Sequence, residues 1–553
     1  MGNSTRRPGF PLKKLCFAVA GALAGLSAAT PALAFQINTG NPDLRLSWDN
    51  TIKYSAAWRL RDADSRVADN SIGPQANTND GDLNFDRGLI SNRLDLLSEL
   101  DLRYQRKYGL RLSAAAWYDD VYNQSNDNPG ALGGALVNSR SADFDEFTKD
   151  TEKLHGRKAE LLDAFVYGTF APGDMNLNLK AGRFTQLYGE SLFFGSNGIA
   201  AAQTSLDLVK ALSVPNSQFK EILRPVGQVS AQLQLNSNVS VGAYYQLEWR
   251  KSRLPAAGSY FSFADFVDEG GETLILGPGF SVNRAEDIEA RDSGQGGVQL
   301  KFKSGDTEYG IYAAQFHDKM PQFYVYPGVG RYEMVYAEDI RTIGFSFSTL
   351  VGETNVAGEL SFRDNMPLVA SGNTVIAPGG YGVIDGGDDA AFPKGRTMHL
   401  NLSAISVLEA NPLWDGASFI GEFAYNRRLS ITDNKAQLDP LATRDAGALQ
   451  FIFTPEYFQV APGLDLQVPI GVSYGLFGRS SVNGALFPAE NGGNISIGLK
   501  AEYQKTWQAS LGFTHYYGTS GSIIKYDTAV PELSYDNFHG DRDFVSFSVQ
   551  RTF

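Results

Sequence analysis

The chain has 553 residues, one cysteine, a formal charge of −13 and an aromatic content of 12%. A single cysteine excludes a disulfide framework, and the acidic balance argues against a nucleic-acid partner. No stretch beyond the N-terminus has the length and apolarity of a membrane-crossing helix.

The first thirty-four residues read as a secretory signal peptide. Arg6, Arg7, Lys13 and Lys14 precede an apolar run over 15–26, and Ala32-Leu33-Ala34 supplies the small-residue pattern for cleavage after Ala34. Cleavage removes Cys16 and takes the formal charge from −13 to −17, because the leader holds four bases and no acid. The mature chain then has no thiol.

Strict alternation begins at once. Over 44–60, Leu44, Leu46, Trp48, Ile52, Tyr54, Ala56 and Trp58 share one parity, while Arg45, Ser47, Asp49, Lys53 and Arg59 share the other. Such a strand presents one apolar and one polar face. Trp48 and Trp58 sit ten residues apart, roughly 25 Å along the normal of a tilted strand, the height of an outer-membrane apolar band.

The pattern recurs with alternating short and long connections. Leu94, Leu96, Leu100 and Leu102 lead through a turn at 107–109 to Leu110, Leu112, Ala114 and Ala116. Later hairpins turn at 236–238, 304–305, 352–353, 462–463 and 504–505, and the last strand ends on Phe553. The expectation is an all-β transmembrane antiparallel barrel of about eighteen strands, with both termini on the periplasmic side. Its apolar parity faces outer-membrane lipid. Its interior carries Arg45, Lys53, Arg59, Glu99, Asp101, Arg103, Arg111, Gln246, Glu248, Arg250, Glu359, Arg363, His399, Glu422, Lys500 and Glu502.

One connection, 187–225, is unusually apolar. Leu192, Phe193, Phe194, Leu206, Leu208, Val209, Leu212 and Phe219 need burial, and 204–212 reads as a short helix capped by Thr204 or Ser205. The segment is expected to fold into the barrel as a constriction. Arg183 and Arg224 stand at its roots, with Glu190 and Glu221 available to pair with them. The candidate channel-lining set is Arg183, Tyr188, Glu190, Phe193, Phe194, Lys220, Glu221, Arg224, Glu359 and Glu422.

Nothing points to catalysis, a metal or a cofactor. His515 lies on an apolar parity beside Tyr516 and Tyr517, without the nearby serine of a lipase. The run Asp80, Asp82, Asn84, Asp86 alternates oxygen ligands but lacks the sixth-position glycine and twelfth-position glutamate of an EF-hand, leaving solvated loop acids or weak calcium ligands.

Gly182-Arg183, Tyr188-Gly189-Glu190-Ser191, Val214-Pro215-Asn216-Ser217, Lys220-Glu221 and Pro225 resemble the central signature of a proteobacterial domain-of-unknown-function family, number thirteen-oh-two. Gly294-Gln295-Gly296-Gly297-Val298 and Val356-Ala357-Gly358-Glu359-Leu360-Ser361, with Pro367, resemble further family segments, and Tyr188 stands where the family has Trp. The resemblance spans essentially the mature chain. It implies a Gram-negative outer-membrane protein working in export or uptake of hydrophobic compounds, with an inner-membrane permease of the resistance-nodulation type as a partner. The function expected is a channel for small hydrophobic or amphipathic organic solutes. The alternative is a structural or adhesion barrel with a closed lumen and partner-binding extracellular loops.

Overall fold

A computed structural model describes residues 35–68, 76–130, 138–217, 219–277, 279–376, 385–525 and 532–553. The leader, Cys16 and the cleavage point after Ala34 lie outside the described residues. So does the side chain of Phe219.

Alternation of the kind seen over 44–60 produces eighteen barrel strands among the described residues. They begin with β1 (Leu44–Arg59), β2 (Gly88–Tyr104), β3 (Tyr108–Asp119), β4 (Arg157–Phe170), β5 (Asn176–Phe184), β6 (Val226–Gln234) and β7 (Val239–Gln246). The far wall is β8 (Gln295–Ser304), β9 (Thr307–Phe316), β10 (Ile340–Val351), β11 (Thr354–Pro367), β12 (Lys394–Leu408) and β13 (Gly416–Asp433). The remainder is β14 (Asp445–Ala461), β15 in two pieces (Leu464–Gln467 and Ile470–Phe477), β16 (Gly493–Tyr503), β17 (Trp507–Tyr517) and β18 (Phe544–Thr552).

Each strand pairs antiparallel with the next, and β18 pairs with β1 from Thr51 with Thr552 to Arg59 with Phe544. Asn50 and Phe553 then exchange both backbone hydrogen bonds, at 2.8 and 2.9 Å. Just beyond them the short strand Phe35–Ile37 continues the same ladder against Leu46, Ser47 and Trp48. The sheet closes with two neighbours for every strand, which is what a β-structure needs where water cannot satisfy its backbone.

Outward positions stay apolar and exposed: Leu94, Val166, Val298, Ile343, Ile497 and Leu511 are all about half exposed. Their polar neighbours turn inward, and Lys53, Ser55 and Arg59 are buried. This is the surface of a barrel built to cross a bilayer. Among the described residues no helix is long and apolar enough to do so.

Turn chemistry sets the hairpins. The first short turn lies at 105–107 rather than 107–109, because Tyr104 and Tyr108 pair across the strands and Gln105 and Arg106 take the positive φ values, 50° and 58°. β15 breaks at Val468 and Pro469, since proline offers no N–H to the ladder. The ladder is rescued there by Val468 N donating to Pro455 O and Gly498 N donating to Pro469 O, both 2.9 Å.

Several of the long connections pair with one another. Thr273–Gly277, Phe280–Arg284, Arg331–Tyr336, Pro321–Tyr326 and Thr374–Ile376 assemble a second, five-stranded sheet. Tyr324, Tyr332, Met334 and Val335 are buried in its cores. We call this assembly the cap. Polar hubs tie its loops together: Asp439 accepts from Gly372 N (3.0 Å), Leu533 N (2.9 Å) and Leu441 N (2.9 Å).

A second hub is ionic and fully buried. Arg542 grips Asp82 through Nε (3.0 Å) and Nη2 (2.8 Å) and donates to the carbonyls of Tyr260 and Ser262. Arg59 joins Asp82 at 3.1 Å and Asp541 at 3.2 Å. The calcium reading of this stretch gives way here, because Asp80–Leu83 is a helical turn whose Asp82 is already neutralised by two guanidinium groups.

Two cap histidines are held neutral. Burial pushes His155 and His539 down to about 3, the nearby arginines adding to the effect, and His155 Nε2 accepts from Ala256 N at 3.1 Å. The unfolded groups protonate near 6.5, so their contribution is complete above that pH and is lost as pH falls toward 3. The protection of Ala256 against hydrogen exchange, taken relative to its intrinsic rate at each pH, is therefore expected to fall across that window, and His155→Gln should flatten its dependence. Separately, Asp82→Ala strands a buried Arg542 and should loosen the cap by about 3–5 kcal/mol, read by limited proteolysis of its loops. The barrel's heat-modifiable migration on a gel should persist in that variant.

Candidate functional site

The connection from β5 to β6 is bonded to inward side chains on both sides of the barrel. Over 188–203 it meets β11, β12 and β13. Glu359 accepts Glu190 N (2.7 Å) and Ile199 N (2.9 Å) on its two oxygens. Glu422 Oε2 accepts three consecutive backbone donors, Leu192 N (3.1 Å), Phe193 N (2.5 Å) and Phe194 N (2.9 Å), while Oε1 accepts from Asn401 (2.6 Å). Three neighbouring N–H groups form an anion nest, here filled by the wall's own carboxylate.

Arg363 does the converse, donating to the carbonyls of Ser196 (3.0 Å), Asn197 (3.0 Å) and Gly198 (2.7 Å). The Asn197 side chain is gathered by Asn401 (2.8 Å), His399 (3.1 Å) and Asn483 (3.1 Å). Gly189, at φ +96°, and Gly198 lie against the Glu359 carboxylate, and a β-carbon at either would collide with it. Gly344 on β10 likewise leaves room for Ile199.

Apolar contacts complete this end. Phe194 packs on Phe487, with ring centres 5.6 Å apart, over the small inward residues Ala424, Ala446 and Ala448, and Phe193 packs beside them. Tyr188 lies edge-on to Tyr244 at 5.3 Å and near Tyr312 at 6.1 Å. Burial raises the Glu190 carboxyl, and Lys301, at 3.4 Å, opposes the shift.

The second half, 204–225, meets the opposite wall. Ser205–Leu206 pairs with Leu223–Arg224, and between them runs the helix Leu208–Ser213. Its cap is Asp207, which accepts from Lys210 N at 3.0 Å, not Thr204 or Ser205, because only Asp207 has the extended backbone directly ahead of the first turn. Val209 is buried, but Leu187 and Leu212 are more than a third exposed, so not every apolar side chain of the segment finds cover. Lys53 reaches Pro215 O at 3.5 Å and Lys220 pairs with Glu99 at 2.7 Å.

The expected root pairings are replaced. Arg183 bonds Glu248 at 2.6 Å rather than Glu190, and its register row runs through Ala164, Leu112, Leu100 and Trp48, the outward parity. It therefore stands on the outward parity, apart from the inward side chains that bond 188–203. Arg224 donates to Lys251 O, and burial together with Arg253 and Arg250 pushes it down to about 9. Glu221 lines a cavity of about 230 Å³ with Lys220, Glu99, Arg111, Asp163, Lys180, Phe165 and Phe184. A second, of about 280 Å³, lies among Asn216, Phe458, Lys500 and Glu502.

Sequence reading missed the partners of the second half. Arg253 holds Asp207 at 2.5 Å and Glu160 at 2.6 Å, and Lys210 adds a contact to Glu160 at 3.6 Å. Among the described residues no cluster of three or more histidine, cysteine or acidic groups is placed to hold a metal. His515 bonds Asp543 at 2.8 Å.

The sequence model described as "Protein of unknown function (DUF1302)" matches residues 15–553. The chain belongs to this family. The family segments around Tyr188 and Glu359 are thus the two halves of one contact. No curated protein matches the sequence. Among solved structures, the chain is similar to OccAB3 of Acinetobacter baumannii, at 10% identity and a TM-score of 0.41, covering 92% of this chain and 99% of that one. It is similar also to the outer membrane channel DcaP of Acinetobacter baumannii (9%, 0.39, 94% and 100%) and to Pseudomonas aeruginosa OpdK with vanillate (9%, 0.39, 92% and 98%).

Glu422→Ala deletes the acceptor of three backbone donors and should free 188–203 by about 3 kcal/mol or more. The readout is faster hydrogen exchange over 192–194 with unchanged protection in β11 and β12.

Proposed function

We propose that the chain is a Gram-negative outer-membrane channel for small hydrophobic or amphipathic organic compounds, with 187–225 as its constriction. The observation that carries the reading is the segment itself. Its first half is bonded to Glu359, Arg363 and Glu422, and its second half to Lys53, Glu99 and Glu160 through its own residues and Arg253. Two cavities beside it are small and mixed in character, and the 230 Å³ one sets Phe165 and Phe184 against Lys180, Arg111 and Lys220. Aromatic walls with a few charged groups suit a solute that is part apolar and part polar.

The apolar belt supports the membrane location, and the short-turn end, where the described chain begins and ends, is the periplasmic side in this reading. A permease partner would meet that end. The competing reading, a sealed barrel whose cap binds a partner, draws on the packed cap cores.

Deletion of 190–222 with a short glycine linker should raise single-channel conductance severalfold in planar bilayers, because the wall ladder does not include the segment and the freed charges face water. Unchanged conductance would refute the constriction. In liposomes benzoate should pass faster than glucose, and equal rates would remove the selectivity. A wild-type barrel that shows no conductance and no solute flux would favour the sealed reading.

A further inference from the structure

The barrel closes, but its neighbouring strands are unequal. β4 pairs with β3 from Arg157 to Gly168 and with β5 only from Ala164 to Phe170, so among the described residues 157–163 has a strand on one side and none on the other. β5, β6 and β7 all stop here, at Phe184, Val226 and Gln246. A bulge marks the place: Leu162 and Asp163 together lie opposite Ser113, whose Oγ accepts from Asp163 N at 2.9 Å. Bulges end pairing and re-aim side chains.

The break lies within the apolar belt. Leu161 on β4 and Leu247 just past β7 are apolar and about half exposed. Arg183 is nearer the short-turn end of its strand than either of them, yet it is a charge on the outward parity. It pairs with Glu248 at 2.6 Å, each about a third exposed, and Glu248 also accepts from Gly227 N at 2.7 Å. Hydrocarbon tolerates neither an unpaired sheet edge nor outward charge, whereas a water-filled opening tolerates both.

An opening is present on the inner side. The 230 Å³ cavity is lined from both sides of the break, by Leu162 and Asp163 of β4 and by Phe184 and Thr185 where β5 stops. Arg111, Lys180 and Lys220 line it too, while Arg253 and Lys210 hold Glu160 higher on the same edge. We infer that the break between β4 and the end of β5 is a lateral portal, through which a small amphipathic solute passes between this cavity and the membrane leaflet on the cap side. Its polar end is met by the charged cavity wall and its apolar part by the belt at Leu161 and Leu247. The inference deepens the channel reading by naming the solute's route. It rests on that reading for transport, but not for the opening.

The test uses quenching in liposomes. Cys16 is the only native cysteine and lies in the leader, so a bimane attached through Thr185→Cys reports on this cavity. The control is Lys500→Cys, at the second cavity, where β16 is paired on both sides. A water-soluble nitroxide should quench both labels. A fatty acid carrying a nitroxide near its carboxyl end should quench the label at 185 severalfold more than the label at 500, and Leu162→Trp should lower that excess by narrowing the break. Leu162→Cys carries the label if the first variant fails to fold. Equal quenching of the two labels by the fatty acid, or a label at 185 that either nitroxide fails to reach, would overturn the portal. Decanoate flux is measured in parallel, and quenching of the expected pattern without flux would keep the portal and defeat the channel.

Discussion

A chain that leaves a β-ladder inside a barrel takes its backbone donors and acceptors away from any regular partner, and the structure depends on how these are satisfied. Glu359 and Glu422 supply acceptors to five N–H groups of 188–203, and Arg363 supplies donors to three carbonyls. The barrel wall thus acts as the hydrogen-bonding complement of an irregular segment. Charged partners make such bonds stronger than neutral ones, and a buried carboxylate in turn requires several donors to be tolerated. Each side explains the other's presence.

Shape follows the same logic. Ala424, Ala446 and Ala448 on the inner wall admit Phe194, Gly344 admits Ile199, and Gly189 and Gly198 admit the Glu359 carboxylate. Small residues therefore occur on both surfaces of the contact, where each lets the partner's larger group approach. The opposite wall is joined differently, through Glu160, Arg253 and Asp207, a pairing of long side chains with fewer backbone bonds. One end of the segment is moulded to the wall and the other is tethered to it.

The barrel was legible because alternation with period two is a direct image of a wall that separates lipid from water, and residues such as Leu94 and Arg93 declare their faces individually. The cap was not. Gln322, Phe323, Tyr324 and Val325 are buried on both faces of their strand, so no alternation marks them, and their partners come from connections far apart in sequence. For the site, Glu359 and Glu422 stood out as acids on inward parity, but inward parity alone does not reveal that they bind backbone. Arg183 shows the converse error: a charge beside a signature glycine turned out to share the row of Trp48.

The buried ionic hub draws Arg59 from the first barrel strand, Asp82 from the connection after it, and Asp541 and Arg542 from the connection before the last. The Asn50 and Phe553 pairing joins the same two strands at their other ends. Both contacts have nearly the largest sequence separation the chain allows, so neither can form until the whole polypeptide is available. Topology of this kind slows assembly and leaves two unsatisfied strand edges exposed throughout it. Closing the seam thus requires both terminal strands at once, and the hub's four charges can be hidden from water only when the connections beside those strands have met.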